Sequence, residues 1–214
     1  MTGTGAGVYV WWLVSRASGI VALALVSLAV LAGLTMATRL LSSGGIRRKL
    51  LRLHEHLALV ALAMIVIHGG SLLLDPWLRP GLRGVVVPFA GSYRPLATGM
   101  GIIAGYLAGL FGLSFYARKR IGARMWRRLH RATVVVWVLG VLHTLGAGSD
   151  ASATWLRAIV WASAVPIFYL MALRLLQSHK KRKAIDRTGD SDGTQGDGRP
   201  VRVRSAGRLR GARA

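Results

Sequence analysis

Histidines are the residues of this chain best suited to chemistry, and five of the six stand in two long apolar stretches. In the first, HEHLALVALAMIVIH, His54 and His56 are followed by eleven apolar residues and then by His68. The second, HRATVVVWVLGVLH, begins at His130 and ends at His143. Neutral imidazole is a common metal ligand, and a polar side chain in an apolar stretch is costly without a partner. The pattern therefore indicates helices that carry ligands.

The two stretches place their histidines at matching depths. His54 and His68 are 14 residues apart, and His130 and His143 are 13 residues apart. At 1.5 Å rise per residue these separations are about 21 Å and about 20 Å. The stretches are the second and fourth of five apolar segments, so they run the same way across a membrane. The sequence predicts an inner pair, His54 with His130, and an outer pair, His68 with His143.

The angular positions separate His56 from its neighbours. Fourteen residues at 100° each fall about 40° short of whole turns, so His54 and His68 share a helix face. His56 points roughly 160° away from His54, which favours a packing or interfacial role. The second helix fits less well, because its two histidines lie about 140° apart. It requires helix twist, different rotamers or a kink near Gly140.

Haem iron is the metal that these pairs fit best. Imidazole is a good axial ligand, and the flat macrocycle can fill an apolar slot between helices. Two imidazoles with no thiolate or converging carboxylate leave a tetrahedral zinc site incomplete. The chain has no cysteine, which excludes disulfides, thiolate ligands and cysteine-bound iron–sulfur clusters. Histidines that only hydrogen-bond between helices remain a second interpretation.

The elements that must position these histidines are membrane-spanning helices. The chain of 214 residues is 53% hydrophobic, with a mean hydropathy of +0.46. A span needs about 20 mostly apolar residues. We therefore predict an all-α membrane protein, a bundle of about five transmembrane helices. The segments are residues 8–36, 53–74, 95–116, 129–147 and 155–176.

The net charge of +22 predicts the topology. Basic residues cluster between segments one and two, between segments three and four, and at the start of the tail, as in RRKLLR, ARKRIGARMWRR and HKKRK. These regions lie on one side of the membrane, which the positive-inside rule makes cytoplasmic. The N-terminus is then outside and the C-terminus inside, in the plasma membrane. This placement excludes nucleic acid as a partner. It indicates that the basic residues interact with the lipid bilayer. Segment one lacks the basic start of a signal peptide.

The C-terminal region differs in composition from the rest. Residues 178–214 are rich in Gly, Arg and Asp and nearly free of large apolar side chains, which predicts a disordered basic tail. Attraction to anionic lipid is the simplest role for it, and docking of a partner is the alternative. His179 belongs to this tail and receives no function.

Arginines near the two levels are candidates for binding haem propionates, which are anionic. Arg131 follows an inner histidine, and Arg16 lies inside the first span, where it binds an outer propionate, snorkels to the interface, or does both. Arg94 is a further outer candidate.

Gly101, with Gly105 and Gly109, has the spacing of close helix packing. Residues 75–94, broken by Pro and Gly, are predicted to form an interfacial loop over the outer site.

The histidine blocks resemble those of a known family, the ferric reductase-like transmembrane domain. Its members include ferric reductases, NADPH oxidases and the haem subunit of bacterial methionine sulfoxide reductase. The matching blocks are L-H-E-H-x11-H, ending at His68, and W-R-R-L-H-R-x11-H, ending at His143. Three shorter motifs resemble actinobacterial members, namely SRASGIVAL, SYRP and HTLGAGSDA. The likeness covers about residues 8–176, so we assign the haem-binding domain to residues 1–177.

The resemblance implies two b-type haems, each held by two histidines, and electron transfer through the membrane. His54 and His130 would bind the inner iron, and His68 and His143 the outer iron. Many members have six spans, whereas this sequence predicts five. The reductases and oxidases usually continue into FAD and NAD(P)H domains, and no Gly-rich dinucleotide fingerprint follows here.

We therefore expect a haem-carrying subunit of an oxidoreductase, with FAD or FMN only on a partner protein. Its donor would be a separate flavoprotein or a quinol, and its acceptor would be external, ferric iron or another. Two alternatives remain: a quinol-linked cytochrome b, and a non-redox structural or transport protein with interhelical histidines.

Overall fold

The fold is all-α, as the sequence predicts. The structure, a computed structural model, describes residues 6–38, 40 and 44–193, with side chains over 9–38, 40 and 44–180, and no strand occurs among them. Its helices are α1 (Ala6–Ala37), α2 (Gly44–Leu73), α3 (Gly81–Val86), α4 (Pro95–Ile121), α5 (Ala123–Arg131), α6 (Thr133–Ala147) and α7 (Thr154–Gly193).

Five spans in the described part of the chain are long and apolar enough to cross a membrane, which confirms the predicted bundle. Four of them are formed by α1, α2, α4 and α7, and α5 with α6 forms the other. The helices extend past the apolar segments at their basic ends, since α2 begins at Gly44 rather than near residue 53. Arg, Lys and Leu are good helix formers, so the helix continues beyond the hydrocarbon that hydropathy detects.

Helix pairs form the bundle: α1 packs along α2, and α4 packs along α6. A buried cluster joins α1, α6 and α7, with Leu34, Trp137 and Ile167 among its members. Within it the Trp137 indole N–H donates to Ser27 Oγ at 2.9 Å. Elsewhere large apolar side chains such as Val66 are exposed on the protein surface, as expected of a surface that faces lipid.

The break between α5 and α6 lies at Ala132, where the backbone N–H of Ala132 bonds to the carbonyl of Leu129 at 2.9 Å, a tighter turn than that of an α-helix. The prediction from the angular mismatch was an adjustment somewhere in this span, with a kink near Gly140 as one form. Gly140 instead lies inside the continuous α6. The break lies between His130 and His143, and the rings of both meet a histidine of α2, so the predicted adjustment can be made there.

The loop between α2 and α4 does not span, as predicted, and it contains the short helix α3. Asp75 begins it as a turn, since its Oδ1 accepts from the backbone N–H of Trp77 at 2.8 Å. The Tyr106 hydroxyl on α4 donates to the carbonyl of Val86 at the end of α3. The loop is therefore tied to α4.

The described residues up to Arg174 form one compact unit, and those from Leu175 onwards form a second. Helix α7 continues to Gly193, past the predicted domain boundary at residue 178. Residues 194–214 of the predicted tail lie outside the described residues. Their disorder stays a prediction.

Candidate functional site

The four histidines at matched depths meet in the pairs that the spacing predicts. The ring centroids of His54 and His130 are 5.8 Å apart, and those of His68 and His143 are 6.0 Å apart. The planes of the paired rings cross at 87° and 75°. Helix α2 therefore runs in the same direction as the span formed by α5 and α6, and each of the two spans contributes one imidazole at each level.

The separation within each pair fits a single metal ion held between two imidazoles. With metal–nitrogen bonds of about 2.0 Å on either side, two ring centroids stand about 6 Å apart. Over the part of the chain with described side chains, no three or more His, Asp or Glu side chains gather into one site. Two imidazoles fit the iron of a haem, whose macrocycle supplies further ligands, better than they fit bare zinc.

Three of these histidines are oriented by a hydrogen bond from Nδ1 to a backbone carbonyl of another helix. His54 donates to Ala29 at 2.8 Å, His68 to Ser15 at 2.8 Å, and His143 to Ala97 at 2.9 Å. A carbonyl only accepts, so Nδ1 carries the proton and Nε2 is left with a free lone pair. Such a bond fixes the tautomer and the ring orientation of a metal ligand.

A glycine lies beside each of these three imidazoles, and at two of them a Cβ would overlap the ring. Each glycine follows the accepting carbonyl by four residues, and the imidazole lies against its Cα. A Cβ on Gly19 would stand 2.9 Å from His68 Nδ1, and one on Gly101 would stand 2.6 Å from His143 Cγ. At Gly33 the nearest atom, His54 Cε1, is 3.4 Å away. The pairs of accepting residue and glycine are Ser15 with Gly19, Ala29 with Gly33, and Ala97 with Gly101.

The sequence prediction overlooked this arrangement. It assigned Gly101 to close packing of helices, and the residue in fact packs against the ring of His143. Gly105 has the predicted role, because a Cβ there would contact Ile65 on α2 at 3.5 Å. Gly109 has nothing within 4 Å. The available signal was a small residue four positions before a glycine at the depth of a histidine.

His130 is held differently from the other three. Its Nδ1 is buried, with no hydrogen-bond partner among the described residues. Its ring stacks on that of Trp126, with centroids 5.3 Å apart and planes 20° from parallel. The Thr133 hydroxyl donates to the His130 carbonyl at 2.8 Å, beside the break at Ala132.

A cavity of about 190 Å³ opens beside the inner pair. Its walls are mostly apolar, and His54, His130, Arg131 and Arg174 also line it. The predicted Arg131 therefore stands at the inner site, with its Nε–H donated to the Arg127 carbonyl at 3.0 Å. Arg174 was missed, although a charged residue within an apolar span is a signal of function by itself.

Arg16 has a partner within the chain. Its guanidinium binds the Asp150 carboxylate through Nε and Nη2, both at 2.6 Å, and lies 5.2 Å from the centroid of the Trp12 ring. Three N–H donors remain, so the contact with an outer propionate stays a prediction. Arg94 donates to the Gly146 carbonyl at 2.8 Å.

His56 stands apart from both pairs. Its side chain is exposed, and its Nδ1 lies 2.7 Å from the carbonyl of Arg52, one turn earlier on the same helix. His56 thus takes no part in either pair, and its packing or interfacial role stays a prediction.

The comparisons with known proteins identify the class to which this fold and these histidines belong. The model of the ferric reductase-like transmembrane component matches residues 18–141, more than half of the chain. The chain is thus a member of the ferric reductase-like transmembrane family. The matched region holds three of the paired histidines and ends two residues before His143. Neither the curated proteins nor the solved structures include a match to this chain.

Proposed function

We propose that this protein carries two b-type haems and passes electrons across the membrane. The observation that carries the proposal is the presence of two imidazole pairs in a multi-pass member of this family. In each pair the ring centroids are about 6 Å apart. The hydrogen-bonded Nδ1 of three histidines supports it, because in each of them Nε2 would be free to bind the iron. Haem iron, once bound, supplies reversible one-electron chemistry.

The residues of the chain then have distinct tasks. The carbonyls of Ser15, Ala29 and Ala97 hold three imidazoles in the ligand tautomer and orientation. The apolar walls of the inner cavity exclude water, which helps to set the redox potential. Arg131 and Arg174 can neutralise carboxylates of a group in that cavity, since guanidinium binds carboxylate through paired hydrogen bonds.

The inner and outer histidine pairs suggest a direction for electron transfer. In the topology that the basic connections predict, the inner pair lies near the cytoplasm and the outer pair near the outside of the plasma membrane. A separate flavoprotein or a quinol would reduce the inner site, and an external acceptor, ferric iron or another oxidant, would take electrons from the outer site. The actinobacterial type that the short motifs suggest belongs to the same proposal.

Haem content of the purified protein tests the proposal. We expect two haems per chain and absorption bands that shift on reduction with dithionite. Alanine at His54 or His130 should remove or alter the inner haem, and alanine at His68 or His143 the outer one. His56→Ala is the matched control on α2 and should keep both. A colourless protein with normal expression would instead favour interhelical histidines without a redox role.

A further inference from the structure

We propose that His130 is an exchangeable ligand, so that the inner site can bind a small neutral molecule such as carbon monoxide in its place. The proposal rests on the haem-binding function above. It follows from differences between His130 and the other three paired histidines in hydrogen bonding, backbone and surroundings.

Three of the four paired histidines donate a hydrogen bond from Nδ1, and within the described part of the chain His130 does not. His54, His68 and His143 each donate to a carbonyl of a neighbouring helix at 2.8–2.9 Å. The Nδ1 of His130 is buried without a partner among the described residues. Loss of such a partner typically weakens metal binding by about 10–100-fold, because the ring is less basic and less fixed. His130 is therefore the ligand held least firmly.

The backbone at His130 also differs. His130 stands in the last turn of α5, two residues before the break at Ala132, whereas His54 lies inside the continuous α2. Segments with interrupted helical hydrogen bonding open at lower free energy than helix interiors. The stacking on Trp126 limits the plane of the His130 ring but supplies no directional bond to Nδ1. The His130 side chain can thus move while His54 remains bound to the Ala29 carbonyl.

The surroundings of the inner site are mostly apolar. The cavity, of about 190 Å³, reaches both His54 and His130 and has walls that include Ala108, Gly112 and Val134. The haem would occupy this cavity, so the incoming molecule takes the place that the His130 ring leaves. Pocket polarity and steric access decide which small molecules a haem iron accepts, and apolar walls suit a neutral diatomic. In the exchange the iron–Nε2 bond to His130 breaks and an iron–carbon bond forms. No electron is transferred, and the free imidazole stays on the protein.

Carbon monoxide titration of the dithionite-reduced holoprotein tests the proposal. We expect the absorption change to saturate at one carbon monoxide per chain, half of the haem. The His68→Ala/His143→Ala variant, with the inner site alone, should keep this response, and the His54→Ala/His130→Ala variant should lack it. No adduct, two adducts per chain, or an adduct at the outer site would each overturn the inference.

The measurement on the unmodified protein stands even if a double variant folds poorly, because the ratio of carbon monoxide to haem is defined there. Haem content is measured first. A protein without haem would refute the proposed function, whereas a two-haem protein that takes up no carbon monoxide would refute the exchange at His130 alone.

Discussion

Alanine at Gly101 should remove or alter the outer haem and spare the inner one. The added Cβ would lie 2.6 Å from Cγ and 2.7 Å from Cε1 of His143. Carbon atoms in contact stand about 3.5–4.0 Å apart, so the ring must retreat by about 1 Å. A retreat of that size stretches the 2.9 Å bond from His143 Nδ1 to Ala97 beyond hydrogen-bonding range.

The expected loss follows from these distances. Overpacking of this kind costs about 1–3 kcal/mol, and loss of the partner of a ligand histidine weakens metal binding by about 10–100-fold. We expect purified Gly101→Ala to contain close to one haem per chain. Its remaining haem should show the spectrum and redox potential of the inner site. Haem per chain, low-temperature electron paramagnetic resonance and a redox titration measure these outcomes.

The three contact glycines form a graded series with a control. Gly19→Ala should affect the outer haem less than Gly101→Ala, because its Cβ would stand 2.9 Å from the His68 ring. Gly33→Ala should affect the inner haem slightly, because its nearest ring atom is 3.4 Å away. Gly109→Ala, with nothing within 4 Å, should change neither. The reasoning fails if Gly101→Ala keeps both haems unchanged, or if Gly109→Ala loses as much haem.

Three further predictions concern residues around the two sites. Trp137→Phe removes the bond to Ser27 in the core and should lower the free energy of unfolding by roughly 1–2 kcal/mol, seen as an earlier thermal transition in detergent with unchanged haem content. Arg16→Ala and Asp150→Ala should show a coupling of about 1 kcal/mol or less in a double-mutant cycle of thermal stability, because the pair is partly exposed. Arg174→Gln removes a cation from the inner cavity and should lower the inner redox potential by tens of millivolts at an effective dielectric constant of about 20, with the outer potential unchanged in the same titration.

The spans and the pairing of the histidines could be predicted because both depend on local spacing. The long apolar runs fix the number of spans, and separations of 14 and 13 residues put His54 and His68 level with His130 and His143. The helix ends were predicted less accurately, because hydropathy locates the part of a helix that lies in hydrocarbon and not the residue at which its backbone hydrogen bonds end. The break at Ala132 has neither Pro nor Gly to mark it.

The supports of the site could be predicted only in part. The carbonyl of Ala29 accepts a hydrogen bond from His54, which is 25 residues away in the sequence, and a single sequence does not show which helices are in contact. Backbone acceptors also have no characteristic residue type, so the paired histidines could be predicted and their hydrogen-bond partners could not. Arg174 is a different case, because its charge within the last span was visible and only its location beside His130 required the structure.

The hydrogen bonds at Nδ1 have a consequence for how the protein is assembled. His54 and His68 on α2 are hydrogen-bonded to α1, the helix that packs along α2, and His143 on α6 is hydrogen-bonded to α4. Each haem would take one ligand from α2, which packs on α1, and one from the span of α5 and α6, which packs on α4. Haem binding would therefore link these two halves, in addition to the packing of α6 on α1. Bundle stability should rise with haem occupancy, as for any ligand that binds the folded state alone.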